Sequence, residues 1–246
     1  MTEKGIIFDF NGTLFWDSQK HYDAWIYMSA KLRGKPFDDY EMLHHMFGRT
    51  NEAIIEYALG RKPTPEETEK YALEKELTYI DMCRKDKENT KLAPGAEEFL
   101  NAVCKNNIPH TIATMSDKIN VDFFIEIFHL EKWFDIEKIV YSDGKIKGKP
   151  APDIYLKAAE IINRKPSDCI VFEDALSGIE AAKAAGTGKA AGKAAGGEAA
   201  EAGTGRADRR IKPLNGITTG GSKHAKVYMG KHPEPAAEAG KADRDH

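Results

Sequence analysis

Residues 5–14 have the sequence GIIFDFNGTL, a short apolar run that ends in polar and turn-forming residues. A run of this length, followed by Asn11 and Gly12, predicts a buried strand that ends in a loop. Asp9 lies where that strand ends. Alone this is a modest signal, because Asp and Asn at a strand end often serve only to make a turn.

Three further short apolar runs come later in the chain. They are HTIATMS at residues 110–116, KIVY at 138–141 and CIVF at 169–172. Between and after them, apolar residues recur at helical spacing, as in residues 96–104, 119–129, 152–162 and 177–185. Strands that alternate with helices predict a parallel sheet with helices on both faces, and ligands bind at the carboxyl ends of its strands.

A long helical pattern separates the first two strands. Residues 18–89 carry apolar residues at helical spacing, interrupted at residues 34–36 and 61–63 by segments that contain Pro. We therefore expect a three-layer α/β core formed by residues 1–15 and 94–186. An inserted, all-helical cap would occupy residues 16–93.

The composition of the chain changes after residue 186. GTGKAAGKAAGGEAAEAGTGRADRR, residues 186–210, contains no large apolar residue. Such a segment buries too little surface to offset the entropy lost on ordering. We expect residues 187–246 to form a low-complexity, disordered tail in which a further strand is missing or unrecognisable, which would leave one sheet edge exposed. Its basic residues are typical of a solvated tail rather than of a binding patch.

Composition also limits the partners and the location of the protein. The 246-residue chain has a formal net charge of −3 and 41% hydrophobic residues, enough for a packed core. Near-neutral charge argues against nucleic acid as a partner, and no apolar run is long enough to span a bilayer. The N-terminus lacks a secretory pattern, and the three cysteines lack metal-ligand spacing. We expect a cytoplasmic monomer that binds neither nucleic acid nor membranes.

Four polar signals follow the predicted strands in a set order. Asp9 ends the first strand, Thr114 ends the second, Lys149 lies in GKPAPD, and Glu173 and Asp174 follow the fourth. Each has a plainer alternative when taken alone, such as a solvated loop for Lys149 or a helix cap for the acidic pair. Together, in this order, they rarely arise by chance.

These residues resemble the four motifs of the haloacid dehalogenase superfamily over about residues 4–186. DFNGTL resembles its first motif, DxDGT; Thr114 resembles the second, Lys149 the third, and Glu173-Asp174 the fourth. GKPAPD and FEDALSGI are most similar to the subgroup that contains beta-phosphoglucomutase and small sugar-phosphate phosphatases. The resemblance implies a Rossmann-like core, and the helical insert matches the position of that subgroup's cap.

The resemblance implies a magnesium-dependent hydrolase of small phosphate monoesters, with sugar phosphates as the expected substrates. Asp9 would be the nucleophile and would form an aspartyl-phosphate. Asp9, Glu173, Asp174 and the backbone carbonyl of Asn11 would hold Mg²⁺, which prefers oxygen ligands. Lys149 would bind a phosphate oxygen and keep Asp9 ionised.

Other core residues are expected to contact the substrate. The Thr114 hydroxyl would donate to a phosphate oxygen, and Ser116 would bind the substrate close by. Gly12 would let the backbone approach the phosphate closely, so that its amide adds a donor.

The cap is expected to supply three further substrate contacts. His21 and Trp25 are four residues apart and share a helix face, with packing in the cap core an equal alternative for Trp25. Arg49, within FGRT at residues 47–50, would suit a second anionic group or a hydroxyl-rich group.

Position 11 departs from the family pattern, because Asn11 stands where the phosphatases carry an Asp that acts as general acid and base. Asn has no titratable proton, and such catalysis contributes about 10²–10⁴-fold. One hypothesis is that the aspartyl-phosphate forms but hydrolyses slowly. Another is that His21 of the cap, whose imidazole can give and take a proton, takes this role. Two alternatives for the function remain open: a phosphomutase of the beta-phosphoglucomutase type, and a catalytically impaired phosphate or metabolite sensor.

Overall fold

The computed structural model of the chain describes residues 4–46, 49–193 and 199–201, with side chains described as far as residue 189. Its strands are β1 (Gly5–Phe8), β2 (His110–Asp117), β3 (Val140–Ser142), β4 (Cys169–Phe172), β5 (Lys189–Lys193) and β6 (Ala199–Glu201). Its helices are α1 (Ser18–Arg33), α2 (Asp39–Glu41), α3 (Asn51–Leu59), α4 (Pro65–Lys85), α5 (Ala96–Lys105), α6 (Lys118–Phe128), α7 (Asp153–Ile161) and α8 (Leu176–Ala184). Strands and helices alternate through the core, as the sequence predicts.

The strands form one sheet in the order β3-β2-β1-β4-β5-β6. β1 pairs in parallel with β2, where Ile6 lies opposite His110, and with β4, where Phe8 lies opposite Phe172. β3 and β5 continue the parallel arrangement on either side, and β6 is antiparallel to β5. The carboxyl ends of β1, β2 and β4 therefore meet at one edge of the sheet.

β1 is buried on both faces, because its alternate side chains enter two different cores. Phe8 packs against Phe99 of α5, with ring centroids 6.0 Å apart. Ile7 belongs to the core on the other face, together with Ala158 of α7 and Ile179 of α8. This is the predicted three-layer core. Because both faces of β1 are buried, every residue of GIIF is apolar.

Helices α1–α4 form the insert between β1 and α5, as the helical pattern predicts. They enclose a core of their own, in which Met28 and Ile55 are buried. The start of α4 is set by a capping box between Thr64 and Glu67, with Pro65 in its first turn. None of the helices in the described part of the chain combines the length and hydropathy that crossing a membrane requires.

The expectation that the disordered tail begins at residue 187 is wrong, because a further strand follows β4. The backbone of Lys189–Lys193 pairs in parallel with β4, where Val171 lies opposite Ala190. Pairing uses backbone N–H and C=O groups, so small residues form a strand that a search for apolar runs does not detect. Just before β5, Thr187 is buried and donates its hydroxyl to the carbonyl of Ala182 at 3.0 Å. The rest of the predicted tail, residues 194–198 and 202–246, lies outside the described residues.

Candidate active site

Three acidic side chains converge at the carboxyl edge of the sheet. Asp9 follows β1, and Glu173 and Asp174 follow β4. One carboxylate oxygen of each residue lies within 4.8 Å of the other two. The pairing of the strands produces this convergence, since the N–H of Asp9 donates to the carbonyl of Phe172 at 2.9 Å. We call these three residues the acidic cluster.

Lys149 joins two members of the acidic cluster. Its Nζ donates to Oδ1 of Asp9 at 2.6 Å and to Oε2 of Glu173 at 2.7 Å. With 9% of its side chain exposed, Lys149 is not the solvated loop residue of the plainer alternative. Tyr155, which sequence analysis did not identify, donates its hydroxyl to the same Glu173 oxygen, and the Ala175 N–H donates to the other at 3.0 Å. The Glu173 carboxylate is therefore held through both oxygens.

Two glycines leave the room that the acidic pair occupies. A Cβ at Gly12 would overlap the carboxylate of Asp174. The backbone φ of Gly12, +76°, also favours glycine at this position. A Cβ at Gly178 in α8 would overlap the carboxylate of Glu173. The Gly12 N–H, which is expected to add a donor at the phosphate, donates to the carbonyl of Phe15 at 2.7 Å within the loop. Gly12 contributes space rather than a donor.

Burial and mutual repulsion raise the pKa values of two carboxylates in the acidic cluster. Desolvation raises the pKa of Asp9 to about 8; Lys149 opposes the rise, and Glu173 and Asp174 add to it. Desolvation and the charge of Glu173 raise the pKa of Asp174 to about 6. Burial lowers the pKa of Lys149, but the charges of Asp9 and Glu173 outweigh it and raise that pKa well above its usual value. The site contains three carboxylates and one ammonium, and its potential metal ligands are all oxygen atoms. This combination fits a hard divalent cation such as Mg²⁺.

Asn11 lies at the centre of a second group of hydrogen bonds. Its Oδ1 accepts from the hydroxyl of Thr114 at 3.2 Å and from that of Ser116 at 2.6 Å. Its Nδ2 donates to Oδ2 of Asp17 at 2.5 Å. The structure thus brings together three of the predicted residues and adds Asp17, which sequence analysis did not identify.

Asp17 is a buried carboxylate at the start of α1. Besides the Asn11 amide, it accepts from the Tyr79 hydroxyl at 2.6 Å and contacts Nε2 of His21 at 3.2 Å. Burial alone would raise its pKa, but His21 and these donors hold the pKa of Asp17 below its usual value. The available sequence signal was an Asp four residues before a His at the start of one helix.

Both ring nitrogens of His21 are engaged. Nδ1 lies 2.8 Å from Nζ of Lys75, which has only donors, so Nδ1 accepts and Nε2 carries the proton toward Asp17. The ring stacks on Tyr79, with centroids 4.1 Å apart. To exchange a proton with a substrate, His21 would first have to give up one of these contacts.

A buried ion pair extends the contacts of His21 to the core. Lys75 Nζ lies 3.1 Å from both carboxylate oxygens of Glu76. Glu76 also accepts from Nδ2 of Asn51 at 3.1 Å and from Nδ2 of Asn120 on α6 at 2.8 Å. Sequence analysis did not identify these residues, because their meeting depends on how α4 packs against α6. We call the connected set the polar chain; its members are Asp17, His21, Asn51, Lys75, Glu76 and Asn120.

The other two predicted cap residues lie outside the acidic cluster. Trp25 is 2% exposed and packs in the cap core, as its alternative interpretation predicts, because burying the indole removes a large apolar surface from water. Arg49 lines a cap cleft of about 580 Å³ that no member of the acidic cluster lines. The described residues that share this cleft are His45, Ala53, Glu56, Tyr57, Gly60 and Arg61. Phe47 and Gly48 of the same motif lie outside the described residues.

Comparison with known proteins identifies the family. Residues 3–186 match the family model of the haloacid dehalogenase-like hydrolases. A probable pseudouridine-5'-phosphatase of Drosophila melanogaster is 32% identical over 188 residues, which cover 73% of this chain and 77% of that protein. A phosphorylated carbohydrates phosphatase of Thermotoga maritima is 32% identical over 187 residues, which cover 74% of this chain and 82% of that protein. The crystal structure of a HAD hydrolase, family IA, variant 3, from Entamoeba histolytica is similar with a TM-score of 0.72 at 46% identity, covering 77% of this chain and 83% of that one. The chain therefore belongs to the haloacid dehalogenase-like hydrolases.

Proposed function

We propose that the protein is a magnesium-dependent phosphohydrolase of small phosphate monoesters, in particular sugar phosphates. The observation that carries this proposal is the contact of Lys149 with Asp9 inside the acidic cluster. An oxygen nucleophile, a cation for the phosphate oxygens and acidic metal ligands are the parts that phosphoryl transfer requires. The two relatives described above as phosphatases of phosphorylated small molecules support the same substrate class.

The acidic cluster and the backbone carbonyl of Asn11 would hold the Mg²⁺ ion. When bound, Mg²⁺ would neutralise charge between the phosphate and the attacking carboxylate. The glycine positions support this assignment, because Gly12 and Gly178 leave space that only the Asp174 and Glu173 carboxylates fill.

Asp9 would attack phosphorus and form an aspartyl-phosphate, while the bond to the leaving oxygen breaks and that oxygen takes a proton from water, since Asn11 has none to give. Lys149 would favour the ionised form of Asp9, opposing the effect of burial, and bind a phosphate oxygen, since its ammonium is already 2.6 Å from the carboxylate. The hydroxyls of Thr114 and Ser116 would donate to other phosphate oxygens after leaving Asn11, their present acceptor.

Hydrolysis of the aspartyl-phosphate is the step that Asn11 would slow. Its amide cannot take a proton from water, and its nitrogen is committed to Asp17. We therefore propose that the phosphoenzyme accumulates during turnover. The second hypothesis, in which His21 activates water, requires that His21 first release Asp17 or Lys75.

The test of this function is phosphate release from a panel of sugar phosphates and an aryl phosphate, with Mg²⁺ and with a chelator. We expect release that requires Mg²⁺, that disappears in Asp9→Asn, and that persists in Asp81→Asn, a matched change at an exposed residue of α4. If the folded protein binds a phosphate analogue but releases nothing, the hydrolase proposal fails and the sensor alternative, which Asn11 favours, takes its place.

Replacing Gly178 with Ala is expected to lower the affinity for Mg²⁺ by about 10–100-fold, the usual cost of displacing a group that orients a metal ligand. The added methyl would push the Glu173 carboxylate away from Lys149 and Tyr155. Gly148→Ala is the matched control, because its Cβ would lie 3.9 Å from the nearest atom, in Met115. Calorimetric titration with Mg²⁺ measures the effect, and equal affinities in the two variants would contradict it.

Mg²⁺ is expected to stabilise the protein more strongly as the pH rises. The pKa values of Asp9 and Asp174 are raised to about 8 and about 6, so the folded state binds more protons than the unfolded chain. The contribution of these two groups to the stability of the metal-free protein is therefore fully present below the ordinary pKa of Asp, and it is lost as the pH rises through the raised values. Thermal unfolding at about pH 5 and about pH 8, with Mg²⁺ and with chelator, measures this. An equal increase in Tm at both pH values would contradict it.

A further inference from the structure

The polar chain lies where the cap meets the core, beside the residues proposed to bind phosphate. It begins at Asp17, which accepts from the Asn11 amide two residues after Asp9. It ends at Asn120 on α6 of the core. The Tyr79 hydroxyl of α4 also contacts Asp17, so the loop after β1 lies under the cap. A group esterified to a phosphate at Asp9 would therefore extend toward the polar chain.

The charges of the polar chain are mainly negative. Asp17 and Glu76 are buried, with 1% and 5% of their surface exposed. Among the members of the polar chain, the cation is Lys75, which is 3% exposed. Burial raises the pKa of Glu76, but Lys75, Asn120 and His21 outweigh it and keep this pKa below its usual value. Lys75 is engaged by both oxygens of Glu76, which leaves little positive charge for an anionic ligand.

Asp117 adds another negative charge close by, directly after Ser116 at the end of β2. Desolvation raises the pKa of Asp117, and the charge of Glu76 raises it further, which indicates that the two carboxylates interact. The next residue, Lys118, is paired with Asp122 at 2.5 and 2.7 Å. That lysine is therefore held in an exposed ion pair on the surface of α6.

One atom of the Asn120 side chain, its amide oxygen, accepts no hydrogen bond from the described residues. Its Nδ2 donates to Glu76, which fixes the orientation of the amide. Its Oδ1 is buried and has no hydrogen-bond partner among the residues that the structure describes. Buried polar atoms normally have partners, so this oxygen favours a ligand that brings a hydroxyl or amino hydrogen.

We propose that the polar chain selects monophosphates whose leaving group carries hydroxyl or amino donors, and discriminates against substrates with a second phosphate. This inference rests on the proposed function. Glu76 and Asn120 would accept from the leaving group. A second phosphate would meet the buried carboxylate of Glu76, where water screens charge poorly, and the exposed carboxylate of Asp117 at the end of β2. Specificity would thus come from repulsion as well as from attraction.

The same discrimination bears on the phosphomutase alternative. A mutase would transfer the phosphoryl group from Asp9 to a hydroxyl of a substrate that already carries a phosphate. The bond from phosphorus to the Asp9 oxygen breaks, a bond to the substrate oxygen forms, and the hydroxyl proton passes to a base. The bound product of that step is a bisphosphate, so a site that repels a second phosphate favours transfer to water instead.

The test compares kcat/KM for phosphate release from glucose 6-phosphate and glucose 1,6-bisphosphate, and from fructose 6-phosphate and fructose 1,6-bisphosphate, all with excess Mg²⁺. We expect the wild-type protein to prefer each monophosphate by about tenfold or more. Glu76→Gln should reduce that preference by about tenfold, because it removes one buried like charge. Glu74→Gln is the matched control on α4, where Glu74 pairs with Lys31 away from the polar chain, and it should leave the preference unchanged.

A second variant covers the case in which Glu76→Gln does not fold. Asp117→Asn removes the other carboxylate and keeps a residue type that caps helices well, directly before α6. It should shift the preference in the same direction. Equal use of mono- and bisphosphates by the wild-type protein, or an unchanged preference in the folded variants, would overturn the inference. If no monophosphate is hydrolysed, the proposed function fails. Calorimetric titration with the same mono- and bisphosphates then tests the inference, and equally tight binding of both would overturn it.

Discussion

Replacing Asn11 with Asp is expected to raise the steady-state rate of phosphate release by about 10²-fold or more, the usual contribution of general acid–base catalysis. The new carboxylate would protonate the leaving oxygen and later take a proton from the attacking water. Phosphate release at saturating substrate and Mg²⁺ measures the gain. Asn106→Asp, an exposed change at the end of α5, is the control and should leave the rate unchanged.

The surroundings of Asn11 determine how this variant should be built. Because Nδ2 of Asn11 lies 2.5 Å from Oδ2 of Asp17, an Asp at position 11 would bring two carboxylates together, at a cost in stability. The double variant Asn11→Asp with Asp17→Asn keeps the net charge and lets the new amide donate to the new carboxylate, but Tyr79 and His21 lose the carboxylate oxygen that accepts from them. We expect it to unfold at a higher temperature than the single variant and at a lower temperature than the wild-type protein. If neither variant accelerates release, the loss of an acid and base at position 11 does not limit turnover.

Replacing Lys149 with Met is expected to abolish phosphate release and to lower the free energy of unfolding by about 3–5 kcal/mol, as breaking a buried ion pair does. The change removes the ammonium that contacts Asp9 and Glu173 and leaves their carboxylates without a cation. Lys147→Met, an exposed change two residues earlier, should be neutral in both measurements. Mg²⁺ should restore part of the lost stability but none of the activity. Near wild-type release from Lys149→Met would contradict its role at the phosphate.

The fold class and the acidic cluster were predictable because their signals are local. GIIF and CIVF are continuous apolar runs, and each ends in the acidic residue that the sheet brings to its edge. Parallel pairing of β1 with β4 then places Asp9 beside Glu173, whatever happens elsewhere in the chain. The helical spacing of the insert predicted the cap in the same way.

β5 was not predictable from apolar patterning, because Lys189–Lys193 contains no large apolar residue and its strand is defined by backbone pairing with β4. The polar chain was missed for a different reason. Lys75 and Glu76 look like exposed charges of a long helix, and the packing of α4 against α1, α3 and α6 buries them. Tyr155 is similar, since its hydroxyl gains a partner only when α7 lies beside the end of β4. Long-range packing decides each of these positions.

The cap residues show where the resemblance carried too little information. His21 and Trp25 share a helix face, as their spacing predicts, yet one enters the polar chain and the other the cap core. Helical spacing identifies the face but does not distinguish a substrate contact from a packing contact. Arg49 lines a different cleft, and nothing in its short motif indicated the direction of its side chain.

The central claim is that Asp9 becomes phosphorylated and that Asn11 slows the loss of the phosphoryl group. Intact-mass and peptide-level mass spectrometry after mixing with substrate and Mg²⁺ and quenching in acid tests it most directly. We expect one added phosphoryl group at Asp9 in the wild-type protein, none in Asp9→Asn, and much less in the double variant at positions 11 and 17. Rapid, repeated phosphate release without a detectable phosphoenzyme, or release that persists in Asp9→Asn, would contradict the claim.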